Sequence, residues 1–122
     1  FRLPQNRYCI ENRAADMTMN VYLAMAMTLS SALEGIRNKT DPGKPTDRDL
    51  YSMTEDELTK LKIRRLPRNL LQSVEALKKD ELAKQVMGSV MHNSFISYKY
   101  DEWERYHQAV TDWEVQEYLR LY

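Results

Sequence analysis

The chain has 122 residues, its 18 basic and 18 acidic residues give a formal net charge of zero, and 30% of all residues are charged. This length fits a single domain, and the charge balance gives no electrostatic argument for a nucleic-acid or membrane partner. A single cysteine, Cys9, excludes an internal disulfide framework and fits a reducing compartment, and no apolar run is long enough to span a bilayer.

Residues 7–13 alternate as expected for a β-strand, which places Glu11 and Arg13 on the same face. Side chains two positions apart on a strand project in parallel, roughly 7 Å apart. This separation allows each group to hold a different partner, a divalent cation for the carboxylate and a carboxylate or phosphate for the guanidinium. The same pattern also fits a solvated face with surface ion pairs of little energetic value.

The remainder, residues 18–122, is predicted to be helical, because good helix formers are plentiful and the chain has only three glycines and four prolines. Residues 18–37 carry an apolar stripe at helical spacing, and Thr18 or Asn20 is expected to cap this helix. The stripe covers more than half of the circumference, so burial on more than one side is expected. Residues 38–46 are predicted to form a loop with a turn at 41–43.

Thr54 opens a capping-box sequence and predicts a short helix that ends near Lys62. Apolar residues at helical spacing predict the next helix over 70–79. Asp80 is expected to cap a further helix that stops at Gly88.

A longer helix is predicted from about Ser94, and a second capping box at Thr111 opens the last helix. The basic run at 60–68 is interpreted as a solvated segment, because it lacks the aromatic residues that would favour nucleic-acid binding. His92 and His107 lack the spacing of zinc ligands. The predicted fold class is therefore mainly α, with a short N-terminal strand over 7–13 followed by about five helices.

The segments Cys9-Ile10-Glu11-Asn12-Arg13 and Asn20-Val21-Tyr22-Leu23 resemble the glutamine synthetase family, whose catalytic domain has an Arg-x-Glu-x-Arg strand followed by a helix that opens Asn-Pro-Tyr-Leu. The likeness continues in order through Leu33-Glu34-Gly35-Ile36, Asn38-Lys39, Asp41-Pro42-Gly43, Leu66-Pro67, Ala76-Leu77, Asp80, Gly88, Lys99, Glu102-Trp103, Tyr106, Val110-Thr111-Asp112-Trp113-Glu114 and Tyr118-Leu119. It covers nearly the whole chain, and implies that residues 1–122 are the C-terminal segment of an α+β catalytic domain. The chain starts at Phe1 rather than methionine and has no signal-peptide pattern, which also favours a fragment.

The resemblance implies roles for individual residues. Glu11 matches the family's divalent-metal ligand, and Arg13 matches the arginine that holds substrate glutamate and its phosphorylated intermediate. Cys9 replaces an arginine that helps with nucleotide phosphates, so Arg7 on the same strand face is the candidate nucleotide-binding residue. Val21 replaces the family's proline and changes only the start of the helix. No residue of this chain is assigned a catalytic role.

The implied function is that of an ATP-dependent ligase, cytoplasmic and homo-oligomeric, which uses Mg²⁺ or Mn²⁺ to form glutamine from glutamate and ammonia through γ-glutamyl phosphate. The isolated chain is expected to be inactive, because the other metal ligands, the ATP-binding stretch and the neighbouring subunit's domain are not in these residues. A γ-glutamyl-amine ligase that uses another amine, and a non-catalytic helical module that binds a partner protein, remain as alternatives. Nucleic-acid binding through residues 60–68 is the least favoured interpretation.

Overall fold

The computed structural model describes residues 1–46 and 48–121. The chain divides into two compact units, Phe1–Thr40 and Asp41–Tyr122. Regular structure in the described residues is helical, with a short 3-10 helix at Leu50–Ser52. The α-helices are α1 (Val21–Arg37), α2 (Glu55–Lys60), α3 (Leu70–Lys78), α4 (Glu81–Met87), α5 (Ser89–Gln108) and α6 (Asp112–Tyr118). The mainly helical prediction is thus confirmed, with six α-helices in these residues where about five were expected.

The strand predicted over 7–13 is wrong for the described residues. Glu11 alone in this stretch pairs with another segment, through an isolated antiparallel bridge in which Arg2 and Glu11 each donate a backbone N–H to the other's carbonyl oxygen at 2.9 Å. The Cys9 N–H donates to the Arg7 carbonyl at 3.1 Å, which bends the backbone within the predicted strand. A strand is stabilised by a ladder with a neighbour, and without one here the local turn prevails.

Helix α1 begins directly after Asn20, which confirms one of the two predicted caps. The Asn20 Oδ1 accepts hydrogen bonds from the N–H groups of Tyr22 at 3.0 Å and Leu23 at 3.1 Å. Arg37 lies in the last turn, where its charge complements the helix dipole. The expectation that this helix is buried on more than one side is wrong, because none of its residues is buried.

In the second unit, α3 and α4 pack against α5. The buried side chains are Val74 from α3, Ala83 from α4, and His92 and Ile96 from α5, and Leu58 of α2 is buried as well. Apolar spacing on these helices places the residues on inward faces, as expected for amphipathic helices.

The helix boundaries in the second unit follow local signals. Both capping boxes are present: the hydroxyls of Thr54 and Thr111 accept from the N–H groups of Glu57 and Glu114. Asp80 caps α4 as predicted, through a 3.0 Å hydrogen bond from the Ala83 N–H.

One boundary differs from the prediction. Helix α5 begins at Ser89 rather than near Ser94, because Gly88 adopts φ 73° and joins α4 to α5 without a loop. At the start of the second unit, Gly43 has φ 76° and its N–H donates to the Asp41 Oδ1 at 2.9 Å, which confirms the predicted turn. No helix formed by the described residues has the length and apolarity needed to cross a bilayer.

Candidate functional site

The three predicted site residues, Glu11, Arg7 and Arg13, lie together with Arg2 around the carboxylate of Glu11. We call these four residues the Glu11 cluster. Glu11 Oε2 lies 3.3 Å from Arg2 Nη1 and 3.3 Å from Arg13 Nη2, and Glu11 Oε1 lies 3.1 Å from Arg7 Nη2. The backbone bridge between Arg2 and Glu11 brings the N-terminus back beside residues 7–13. Both carboxylate oxygens are therefore engaged by guanidinium groups.

The cluster is cationic and open to solvent. Three guanidinium groups surround one carboxylate, which leaves a formal charge of +2. The Glu11 side chain is 24% exposed, whereas the three arginine side chains are 55–68% exposed. Exposed ion pairs of this kind contribute roughly 0–1 kcal/mol to stability. The arrangement is thus suited to binding an anion from solvent more than to holding the fold.

The structure brings together all three site residues predicted from the sequence. Glu11 and Arg13 do not stand apart as predicted from strand spacing; they form an ion pair, because long side chains close the gap between their backbones. Arg2 was missed. The signal for it was present in the turn-forming residues Pro4, Gln5 and Asn6, which allow residues 2 and 11 to pair.

The residues present do not by themselves fit a magnesium site. Mg²⁺ requires near-octahedral coordination by oxygen, and Glu11 supplies at most two oxygens, both of which contact guanidinium groups. Within residues 1–46 and 48–121, no group of three or more His, Cys, Asp or Glu side chains is placed to hold a metal ion. Cys9 is exposed and free.

The link from the cluster to α1 is held by short-range hydrogen bonds. Asn12 Oδ1 accepts from the Ala14 N–H at 3.1 Å, and Asp16 Oδ1 accepts from the Thr18 hydroxyl at 2.7 Å and from its N–H at 2.6 Å. These bonds from Thr18, the hydroxyl first, lower the pKa of Asp16. The ionised carboxylate of Asp16 therefore holds the turn that leads into α1.

The other candidate groups have structural roles. Within the basic run at 60–68, Arg65 and Arg68 both pair with Glu55, at 2.9 and 3.1 Å. His107 stacks on Trp103 with ring centroids 5.0 Å apart. His92 is buried, and its Nε2 lies 3.0 Å from the Leu77 carbonyl oxygen.

Comparison with known proteins places these features in a family. Residues 2–118 match the family model described as the glutamine synthetase catalytic domain, which includes the whole Glu11 cluster and all of the helices. The chain therefore belongs to the glutamine synthetase family.

Individual relatives support the same family assignment. The chain is 36% identical over 112 residues to a glutamine synthetase of Methanococcus voltae, a match that covers 92% of this chain and 25% of the relative. It is 37% identical over 112 residues to a glutamine synthetase of Thermotoga maritima, covering 92% of this chain and 26% of the relative. It is also 36% identical over 113 residues to a glutamate–methylamine ligase of Methyloversatilis universalis, a match that covers 93% of this chain and 25% of the relative. The chain thus spans about a quarter of the length of these curated relatives.

Proposed function

We propose that this chain is the C-terminal segment of the catalytic domain of an ATP-dependent ligase that forms glutamine from glutamate and ammonia. The observation that carries the proposal is the pairing of Arg13 with Glu11, 3.3 Å apart, in an open cationic cluster inside the family-matched region. An exposed guanidinium beside a carboxylate can exchange that partner for a substrate anion at little cost, because exposed pairs are weak.

The reaction proposed for the complete enzyme has two steps. The γ-carboxylate of glutamate attacks the terminal phosphorus of ATP, and ADP leaves. The nitrogen of ammonia then attacks the carbonyl carbon of the γ-glutamyl phosphate, phosphate leaves and the nitrogen loses a proton. Arg13 would hold the glutamate and its acyl phosphate through a planar pair of N–H donors, which suits a carboxylate or phosphate. Arg7 is proposed to contact the nucleotide phosphates.

Glu11 is proposed as one ligand of a Mg²⁺ or Mn²⁺ ion whose other ligands lie outside this chain. The proposal requires Glu11 to release at least one of its guanidinium partners, and the 24% exposure of its side chain leaves a path for that exchange. Because the remaining ligands and an ATP-binding stretch lie elsewhere, we propose that the 122-residue chain alone has no ligase activity. Consistent with an ATP-dependent enzyme of nitrogen metabolism, we propose a cytoplasmic homo-oligomer.

A second candidate is a γ-glutamyl-amide ligase for an amine other than ammonia. It is favoured by the 36% identity to the glutamate–methylamine ligase and by Cys9, which stands where the family pattern has an arginine. A third candidate is a non-catalytic helical module that binds a protein partner, which is favoured by the exposed apolar residues of α1.

A chimera tests these candidates directly. Residues 2–118 replace the corresponding segment of the Methanococcus voltae glutamine synthetase, and ADP release is measured with glutamate and either ammonia or methylamine. We expect a functional enzyme, with the preferred amine identifying the first or the second candidate. In this chimera, Arg13→Ala is expected to raise the KM for glutamate at least about tenfold, because the substrate loses a charge-assisted hydrogen bond.

Glu11→Ala should lower kcat/KM of the chimera about a hundredfold or more, because a metal ligand supports several kcal/mol of transition-state charge stabilisation. Arg64→Ala serves as the control, since Arg64 is an exposed arginine outside the cluster. Wild-type kinetics in both cluster variants would refute the assigned residues. A chimera that assembles normally but releases no ADP with either amine would favour the non-catalytic module.

A further inference from the structure

The arginines of the Glu11 cluster divide its carboxylate unequally. Arg7 Nη2 donates a hydrogen bond to Oε1 at 3.1 Å, whereas Arg2 Nη1 and Arg13 Nη2 both donate to Oε2 at 3.3 Å. One oxygen is thus held by a single guanidinium group and the other by two. Release of Arg7 frees Oε1, whereas Oε2 becomes free only when two arginines leave.

The three arginines also differ in how the backbone ties them to Glu11. Two backbone hydrogen bonds of 2.9 Å join Arg2 to Glu11, and Arg13 follows Glu11 by only two residues. The carbonyl oxygen of Arg7 instead accepts the Cys9 N–H at 3.1 Å, and its side chain is 65% exposed. Arg7 is therefore the partner that can leave Glu11 without disturbing the backbone bridge.

These contacts conflict with the use of Glu11 as a metal ligand. A carboxylate oxygen binds Mg²⁺ at about 2.0–2.1 Å, and two positive charges brought to the same oxygen repel each other. The guanidinium group of Arg7 at Oε1 therefore competes with a cation for that oxygen. Arg2 and Arg13 compete in the same way at Oε2.

We propose, on the basis of the proposed role of Glu11 as a metal ligand, that Arg7 is a self-blocking contact that closes Glu11 to divalent cations. Arg7 is the residue that moves before Glu11 can bind a cation, because its departure alone frees an oxygen. A phosphate group that binds the Arg7 guanidinium through paired N–H donors would draw it away and open Oε1. Arg7 thus sets how readily a divalent cation reaches Glu11.

The test uses the full chain, isotopically labelled, with Mn²⁺ as the probe. Mn²⁺ broadens the NMR signals of nuclei near the carboxylate that it binds, so each carboxylate is followed separately and no enzyme activity is needed. Glu117 is the reference, because it is exposed and forms no ion pair among the described residues. In the wild type we expect weaker broadening at Glu11 than at Glu117.

Three variants that each remove one arginine charge locate the blocking contact. Arg7→Gln should increase the Mn²⁺ broadening at Glu11 about three- to fivefold, as for the loss of one exposed ion pair. Arg13→Gln should increase it less, because Arg7 and Arg2 still hold the two oxygens. Arg64→Gln is the control, since Arg64 is an exposed arginine outside the cluster, and it should have no effect. Unchanged broadening in Arg7→Gln, or an equal increase in either of the other two variants, would overturn the proposal.

The blocking contact and the proposed function can fail separately. A chimera without ligase activity, together with increased broadening in Arg7→Gln, would refute the proposed function and support the blocking contact. An active chimera together with unchanged broadening in Arg7→Gln would refute the blocking contact alone.

Discussion

The two histidines of the chain occupy opposite environments. His92 is 2% exposed and bonded to the Leu77 carbonyl, near the end of α3, whereas His107 is exposed and stacks on Trp103 within α5. His92 ties α5 to α3 through the Leu77 carbonyl oxygen, which also accepts the Asp80 N–H at 3.1 Å. The other buried residues of α3, α4 and α5 are Val74, Ala83 and Ile96.

His92→Ala is therefore expected to lower the free energy of unfolding by about 2–4 kcal/mol, from a lost hydrogen bond and a cavity in the core. His107→Ala should change it by less than about 1 kcal/mol, as for an exposed substitution. Urea unfolding monitored by circular dichroism compares the two variants. Equal, small effects of both substitutions would contradict the structural role assigned to His92.

The Glu11 cluster shows that a residue pattern can predict which side chains form a site but not the distances between their charged groups. The alternation of residues 7–13 and the family resemblance together selected Arg7, Glu11 and Arg13, and the structure does bring their charged groups together. The pattern did not give their separation, because arginine has four rotatable side-chain bonds and reaches partners that backbone spacing alone would keep apart. It also missed Arg2, whose contact depends on a chain reversal and not on strand spacing.

At the scale of single helices, two carboxylates hold helix starts. The backbone N–H groups of Thr54 and Thr111 donate to Glu57 at 2.8 Å and Glu114 at 2.7 Å, and the threonine hydroxyls donate as well. These bonds, the backbone ones first, lower the pKa of both glutamates. The ionised carboxylates therefore stabilise α2 and α6 above the ordinary glutamate pKa of about 4.3, and this stabilisation is lost as the pH falls through the lower folded pKa.

We expect part of the helical circular dichroism signal to be lost reversibly as the pH is lowered below about 4.3. The double variant Glu57→Gln, Glu114→Gln tests the cause, because glutamine still accepts the capping-box hydrogen bond but does not titrate. It should keep the helix content at neutral pH and lose less helix signal than the wild type on acidification. Identical acid transitions in the two proteins would assign the pH dependence to other carboxylates.

The limits of an element were predictable where they depend on a few neighbouring residues and were missed where they depend on distant parts of the chain or on an ambiguous residue. The caps at Asn20, Thr54 and Asp80 each need only two or three neighbouring residues, and the structure contains all three. The strand at 7–13 needs a partner strand distant in sequence, which the described residues do not provide. The start of α5 was misplaced because Gly88, a familiar stop signal, also permits an immediate restart.

At the scale of the whole molecule, the buried side chains of the described residues lie in the second unit. Only five of the described residues are buried, all of them in the second unit, and α1 contributes none. The apolar stripe of α1 is 42–73% exposed at its large residues; its members are Val21, Met25, Leu29, Leu33 and Ile36. A contiguous apolar face of this kind on a free protein favours association.

The isolated chain is therefore expected to self-associate in a concentration-dependent manner through α1. Leu29→Lys should shift the protein toward monomer, because it places a charge in the middle of the stripe, and Leu29 is 63% exposed, so little folding energy is lost. Ser31→Lys adds the same charge to the opposite side of α1 and is expected to leave association unchanged. Sedimentation velocity over a range of concentrations measures the difference. A wild-type chain that stays monomeric at every concentration would show that this face does not drive self-association. Equal changes in association from the two lysine substitutions would show the same.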